Sequence, residues 1–241
     1  MTERIIVINP NSSVACTEGI DRALDPLRIE GGPGIECLTL DEGPPGIETQ
    51  RDVDGVVGPL RRLVESHDNR AAAFVVACFS DPGVHALRET TAKPVFGIAE
   101  SGLLAALALG DRFGVIAILA QSAARHRRFI RALGIESRFA GELAVGLRVT
   151  ELADEAATFA RMSTVGSRLR DETGADVMVM GCAGMARYRE RLEDALGLPV
   201  VDPTQAAVAM AIAAIRLGWR GAAQRARDPA ASSPRRRSAR R

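Results

Sequence analysis

A chain of 241 residues, 46% hydrophobic and 25% charged, is long enough to bury a substantial core and has the composition of a folded globular protein. Its net charge of +1 excludes a uniformly basic or uniformly acidic chain but conceals an asymmetry. Residues 220–241 hold eight arginines and one acid, and the preceding 219 residues carry a net charge of −6. This Arg-rich tail also holds Pro229, Ser232, Ser233 and Pro234, so a disordered, solvated terminus is expected. Arginine tails are able to touch RNA or acidic surfaces, but no nucleic-acid partner is expected here. The opening MTERIIVINPNSS is too short an apolar run for a signal peptide or a membrane span. Four cysteines without CxxC spacing argue against a zinc site or a disulfide framework. Reduced thiols in the cytoplasm are the expectation.

In chain order, short apolar runs predict strands at 4–9, 34–40, 71–77, 95–99, 112–119, 144–149, 176–181 and 200–202. Helical patterns alternate with them, the signature of an α/β fold with parallel sheets. Most runs are apolar throughout, as expected when helices cover both faces. The halves repeat: AAFVVACFSDPG precedes KPVFGIAESGLLAALALG, and ADVMVMGCAGM precedes LPVVDPTQAAVAMAIAAIRLG. Cys78 to Pro94 spans 16 residues and Cys182 to Pro199 spans 17. RIIVINPNSS corresponds more loosely to FGVIAILAQSA. The expected architecture is two pseudo-symmetric Rossmann-like lobes with the active site in the cleft between them. Residues 1–100 with roughly 205–219 form the first lobe, and residues 101–204 the second. The Ala-rich stretches from Ser101 and Gln205 leave room for contacts between subunits.

Ligands of open α/β sheets bind beyond the carboxyl ends of strands. Cys78 and Cys182 each follow a strand at matching positions of the repeat, so they are expected to flank one cleft. Two opposed thiols suit inversion of a carbon centre, one removing a proton and the other delivering one to the opposite face. An unperturbed thiol has a pKa of about 8.5, and backbone N–H groups at a helix N-terminus lower it further. Main-chain N–H groups of Phe79-Ser80 and of Ala183-Gly184-Met185 are placed to stabilise charge on a substrate oxygen. Cys16 and Cys37 have no counterparts in the repeat and read as small buried hydrophobes.

INPNSS at 8–13, ACFSDPG at 77–83 and GCAGM at 181–185 resemble the hydantoin and allantoin racemase branch of the Asp/Glu/hydantoin racemase superfamily. The resemblance covers roughly residues 4–219. It implies no cofactor and racemisation at C5 of a 5-substituted hydantoin, a cyclic ureide, with allantoin a leading candidate. It implies Cys78 and Cys182 as the two bases and a homo-oligomer. Asn9, Asn11 and Ser12 would line the cleft beside the ring, and Phe79, Ser80, Ala183 and Gly184 would offer N–H groups to its carbonyls. Pro82 and Gly83 would shape the turn. Ser80 stands where glycine is common in the branch, and Ile118-Leu119 where threonines are more frequent. An aspartate/glutamate-type racemase, a maleate isomerase or a non-catalytic small-molecule-binding protein are the alternatives.

Other polar residues carry weaker expectations. Asp81 reads as bonding its own turn or orienting the Cys78 loop. Glu100 and Asp202 read as helix caps or cleft supports. His85 reads as a surface or supporting residue, and His67 and His126 as solvated. Three scattered histidines offer no metal site. Residues 43–49 read as a flap over the cleft.

Overall fold

The computed structural model describes residues 3–147, 151 and 154–220. The arginine tail from residue 221 onward and part of the expected sixth strand, residues 148 and 149, lie outside the described residues.

Two four-stranded parallel sheets form the frame. In the first, β1 (Arg4–Asn9), β2 (Gly34–Thr39), β3 (Ala73–Val76) and β4 (Val95–Gly97) are ordered β2-β1-β3-β4. In the second, β5 (Phe113–Ala117), β6 (Phe139–Ala144), β7 (Val177–Met180) and β8 (Val200–Val201) are ordered β6-β5-β7-β8. The second order repeats the first with every strand index raised by four. The α/β class and the paired parallel sheets expected from the sequence are present.

The two-residue period of each strand distributes its side chains between two cores. Ile6 and Ile8 of β1, with Phe74 and Val76 of β3, face α2 (Gln50–Gly55), α3 (Val57–His67) and α4 (Val84–Thr90). Ile5, Val7, Ala73 and Val75 face the other way, against α1 (Val14–Ala23) and α9 (Pro203–Leu217). The second sheet is covered likewise. Ile116, Met178 and Met180 pack on α7 (Glu155–Thr173) and α8 (Arg189–Leu196). Phe113, Val115, Val177 and Val179 pack on α5 (Ile98–Leu109) and α6 (Ala123–Ala132). Burial on both faces is why these strands read as continuous apolar runs.

The sixth strand differs from expectation. It is Phe139–Ala144, five residues upstream of the predicted 144–149. This edge strand is half-buried throughout and carries Gly141 and Glu142, both poor strand formers. Its place comes from neighbours: Glu142 meets His126 at 3.0 Å, and Gly141 faces Leu169 and Thr173 of α7. Val145 and Gly146 still donate to the carbonyls of Ala117 and Ile118, at 2.9 Å each, past the end of the ladder.

The Ala-rich helices α5 and α9 meet each other within the chain, at the junction of the two sheets. A β-carbon on Gly102 would lie 2.7 Å from Pro203 Cβ and 3.0 Å from its Cα. Gly102→Ala therefore overpacks this crossing and is expected to cost about 1–3 kcal/mol, seen as a lower urea midpoint at unchanged slope.

Candidate active site

Cys78 lies two residues beyond β3 and Cys182 two residues beyond β7, the same position in each repeat. Both are half-buried free thiols lining one pocket of about 40 Å³. The residue after each cysteine packs into the opposite half. Phe79 joins the apolar cluster of the second sheet, while Ala183 joins that of the first. Each thiol turn is thus anchored in its neighbour's core, and both sulfurs line the same pocket.

Asp81 holds the Cys78 turn from behind. Its φ of 44° is left-handed, a costly conformation for a non-glycine residue. Its carboxylate accepts from the N–H groups of Ala99 and Glu100, each at 2.8 Å. The bonds expected within its own turn go instead to the first turn of α5. Gly97 makes the approach possible, since a β-carbon there would fall 2.2–2.5 Å from the Asp81 carboxyl. Asp202 caps α9 in the second half, accepting from Gln205 N at 2.7 Å. Glu100 is no cap; it pairs with Arg88 at 2.6 Å. Burial raises the carboxyl of Asp81 to about 7 and that of Asp202 to about 6, against the pull of these N–H groups.

Burial also sets the thiols. Cys78 is pushed up to about 12, although the Ser80 N–H and hydroxyl and the charge of Arg125 pull it down. Cys182 is raised further by burial, with Cys16 second and the Gly184 N–H opposing. The expected lowering by backbone N–H groups exists but loses to desolvation. Gly184 N lies 3.4 Å from Cys182 Sγ. In the resting pocket, the N–H groups of Ser80 and Gly184 therefore serve the sulfurs.

The INPNSS segment divides. Asn11 borders the pocket. Asn9 and Ser12 do not, contrary to expectation. Asn9 is buried, and its amide is used up by Asn11 Oδ1 (2.9 Å), Thr17 Oγ1 (3.0 Å) and Ser13 O (3.2 Å). It ties the loop after β1 to α1. Ser12 N–H donates to Pro44 O at 3.0 Å, holding the 43–49 segment over the site, where Ile47 and Glu48 line the pocket.

Several pocket residues escape sequence reasoning. Cys16, read as an isolated hydrophobe, lines the wall and receives the Asn11 amide at 3.9 Å. Arg125 reaches from α6 to Ser80 Oγ at 3.0 Å. His126, expected to be solvated, is buried. It meets Glu142 at 3.0 Å and stands edge-on to Phe79, with ring centroids 5.2 Å apart. The flanking arginines disguise it, but Ser122, His126 and Ile130 recur at helical spacing on the buried face. Ile118 and Leu119 form an apolar wall as expected. His85 is exposed, and His67 bonds Leu63 O at 3.0 Å on the half-buried side of α3. Cys37 is raised by burial and borders no part of the pocket.

Among the described residues, no group of His, Cys, Asp and Glu is arranged to hold a metal ion. No described helix is long and apolar enough to cross a membrane.

The fold around the pocket is similar to that of several racemases. The solved allantoin racemase from Klebsiella pneumoniae superposes with a TM-score of 0.85 at 30% identity, over 91% of this chain and 90% of that one. The allantoin racemase from Pseudomonas fluorescens gives 0.86 at 27% identity, over 96% and 97%. The hydantoin racemase of Paenarthrobacter aurescens is 34% identical over 219 residues, 90% of this chain and 92% of that protein. The family model for Asp/Glu/hydantoin racemase matches residues 5–211. With that match spanning both thiol turns and both sheets, the chain belongs to the Asp/Glu/hydantoin racemase family.

Proposed function

We propose that this protein is a racemase that inverts C5 of a 5-substituted hydantoin, using Cys78 and Cys182 as its two bases without a cofactor. Allantoin is the leading natural candidate. The observation that carries this is the pair of thiols, at equivalent strand ends of a repeated unit, lining one pocket. The relatives named above act on hydantoins and allantoin, which supports the choice of ring.

One cysteine, as thiolate, takes the C5 proton, and the carbanion spreads its charge onto the adjacent carbonyl oxygen. N–H groups of the two turns receive that charge once the ring is seated. The second cysteine, as thiol, delivers its proton to the opposite face. The product leaves the first residue a thiol and the second a thiolate, so the next turnover runs in the opposite sense or after proton exchange with water. Asp81 acts through the Cys78 turn as a positioning residue.

Each enantiomer of allantoin and of alkyl and aromatic hydantoins is incubated in D2O, following C5–H loss and optical rotation. Loss of rotation with deuterium incorporation is expected for at least one ring. A folded sample that leaves every hydantoin untouched, or that turns over aspartate or maleate instead, overturns the proposal.

A further inference from the structure

We propose that Arg125 selects the C5 substituent, admitting cyclic ureides whose substituent ends in an oxygen acceptor, a carboxylate or a ureido carbonyl. This rests on the hydantoin reading of the thiol pocket and adds to it the class of side chain that fits.

The first argument is size. The thiol pocket is small, about 40 Å³, with room for a few waters and so for little beyond a compact ring. A long C5 substituent extends toward its opening. The second argument is the exit. A further depression of about 260 Å³ lies outside the thiol pocket, and Glu48 and Arg125 border both. A substituent leaving the ring by this route passes the Arg125 guanidinium.

The third argument is the state of that guanidinium. Its Nε is fixed by Ser80 Oγ at 3.0 Å, and no carboxylate of the described residues lies within 4.0 Å of it. It is the only lysine or arginine bordering the thiol pocket among the described residues. Of the charges it feels, that of Cys78 is the largest, and the two carboxylates among the rest are engaged elsewhere. Glu142 is held by His126, and Asp52 by the N–H groups of Glu48 and Thr49. A half-buried cation without a carboxylate partner, beside the Cys78 thiol and pre-set by one bond to Ser80, presents its remaining N–H groups as a planar fork suited to a carboxylate or carbonyl. Glu48 is the one acid at the same opening and competes with an anionic substituent.

The test compares 5-(2-carboxyethyl)hydantoin, allantoin and 5-isobutylhydantoin with the wild-type protein, Arg125→Met, Arg125→Lys and Glu48→Gln. In Arg125→Met the kcat/KM ratio of the carboxyethyl over the isobutyl substrate is expected to fall about ten- to hundredfold, mostly through KM. Arg125→Lys keeps part of the preference, and Glu48→Gln raises it. Binding of 5-methyl-5-(2-carboxyethyl)hydantoin, which has no C5 hydrogen, is measured by calorimetry and is expected to weaken by the same factor in Arg125→Met. Its 5-isobutyl analogue is expected to bind unchanged. Melting curves establish that each variant is folded, and Arg125→Lys with Glu48→Gln decides the matter if Arg125→Met is not. A common loss across substrates with an unchanged ratio, or unchanged binding of the carboxylate analogue, overturns the role of Arg125 and leaves the racemase intact. Arg125-dependent binding without turnover of any hydantoin overturns the racemase and leaves the subsite.

Discussion

Cys78→Ser and Cys182→Ser are each expected to lower racemisation about 10²–10⁴-fold, the usual contribution of a positioned acid or base. A serine hydroxyl is close to a thiol in size but far weaker as an acid, so it neither loses nor delivers a proton on the required timescale. The two variants are expected to differ from a simple loss in one telling way. The surviving thiolate still reaches one face, so C5–H exchange in D2O persists for one enantiomer and vanishes for the other. The enantiomer retained by Cys78→Ser is the one lost by Cys182→Ser. Chiral chromatography coupled to mass spectrometry separates exchange from inversion. Both variants should fold, because each sulfur is half-buried and the anchoring falls to Phe79 and Ala183. Exchange of both enantiomers by either single variant would dismiss the two-base assignment.

A second large effect is expected from pH. Burial holds the Cys78 thiol at about 12 and Cys182 higher still, so the thiolate is a minor species at neutrality. Its population rises tenfold per pH unit until the pKa is approached. The kcat/KM for racemisation, corrected for the spontaneous rate, is therefore expected to climb about a thousandfold between about pH 6.5 and 9.5 with no plateau. A plateau near neutrality would mean that substrate binding, or the Ser80 and Gly184 N–H groups, outweighs desolvation. The same shifts limit stability. A thiol pKa raised above its ordinary value stabilises the fold fully below about pH 9, and that contribution is lost as pH rises toward about 12. Melting temperature should accordingly fall above about pH 9, which confines the assay to milder values.

Phe79 and Ala183 follow the cysteines, and their side chains are committed to the opposing cores. Only their backbone remains for chemistry. Asp81 supports the Cys78 turn through α5, and Gly97 leaves it room. The two thiol turns are held by packing between the halves as well as by their own hydrogen bonds.

Much of this was legible in the sequence because it depends on local order. Strand, turn, cysteine, proline and helix recur in the same sequence in both halves, and each step has its own local signature: an apolar run, a turn residue, a helical period. Those signatures placed Cys78 and Cys182 at equivalent strand ends and named the fold class. Tertiary structure decided the rest, because it depends on which elements face each other. FAGELA at 139–144 is a strand only because β5 pairs with it and His126 partners its Glu142. Asn9 turns inward because Asn11, Ser13 and Thr17 consume its amide. Cys16 and Arg125 enter the site from α1 and α6, far from either thiol in the chain. The acidity of the thiols follows the same division. Residue type and nearby N–H groups argue for a lowered pKa, but desolvation, which arises only when the chain packs around each thiol, outweighs them.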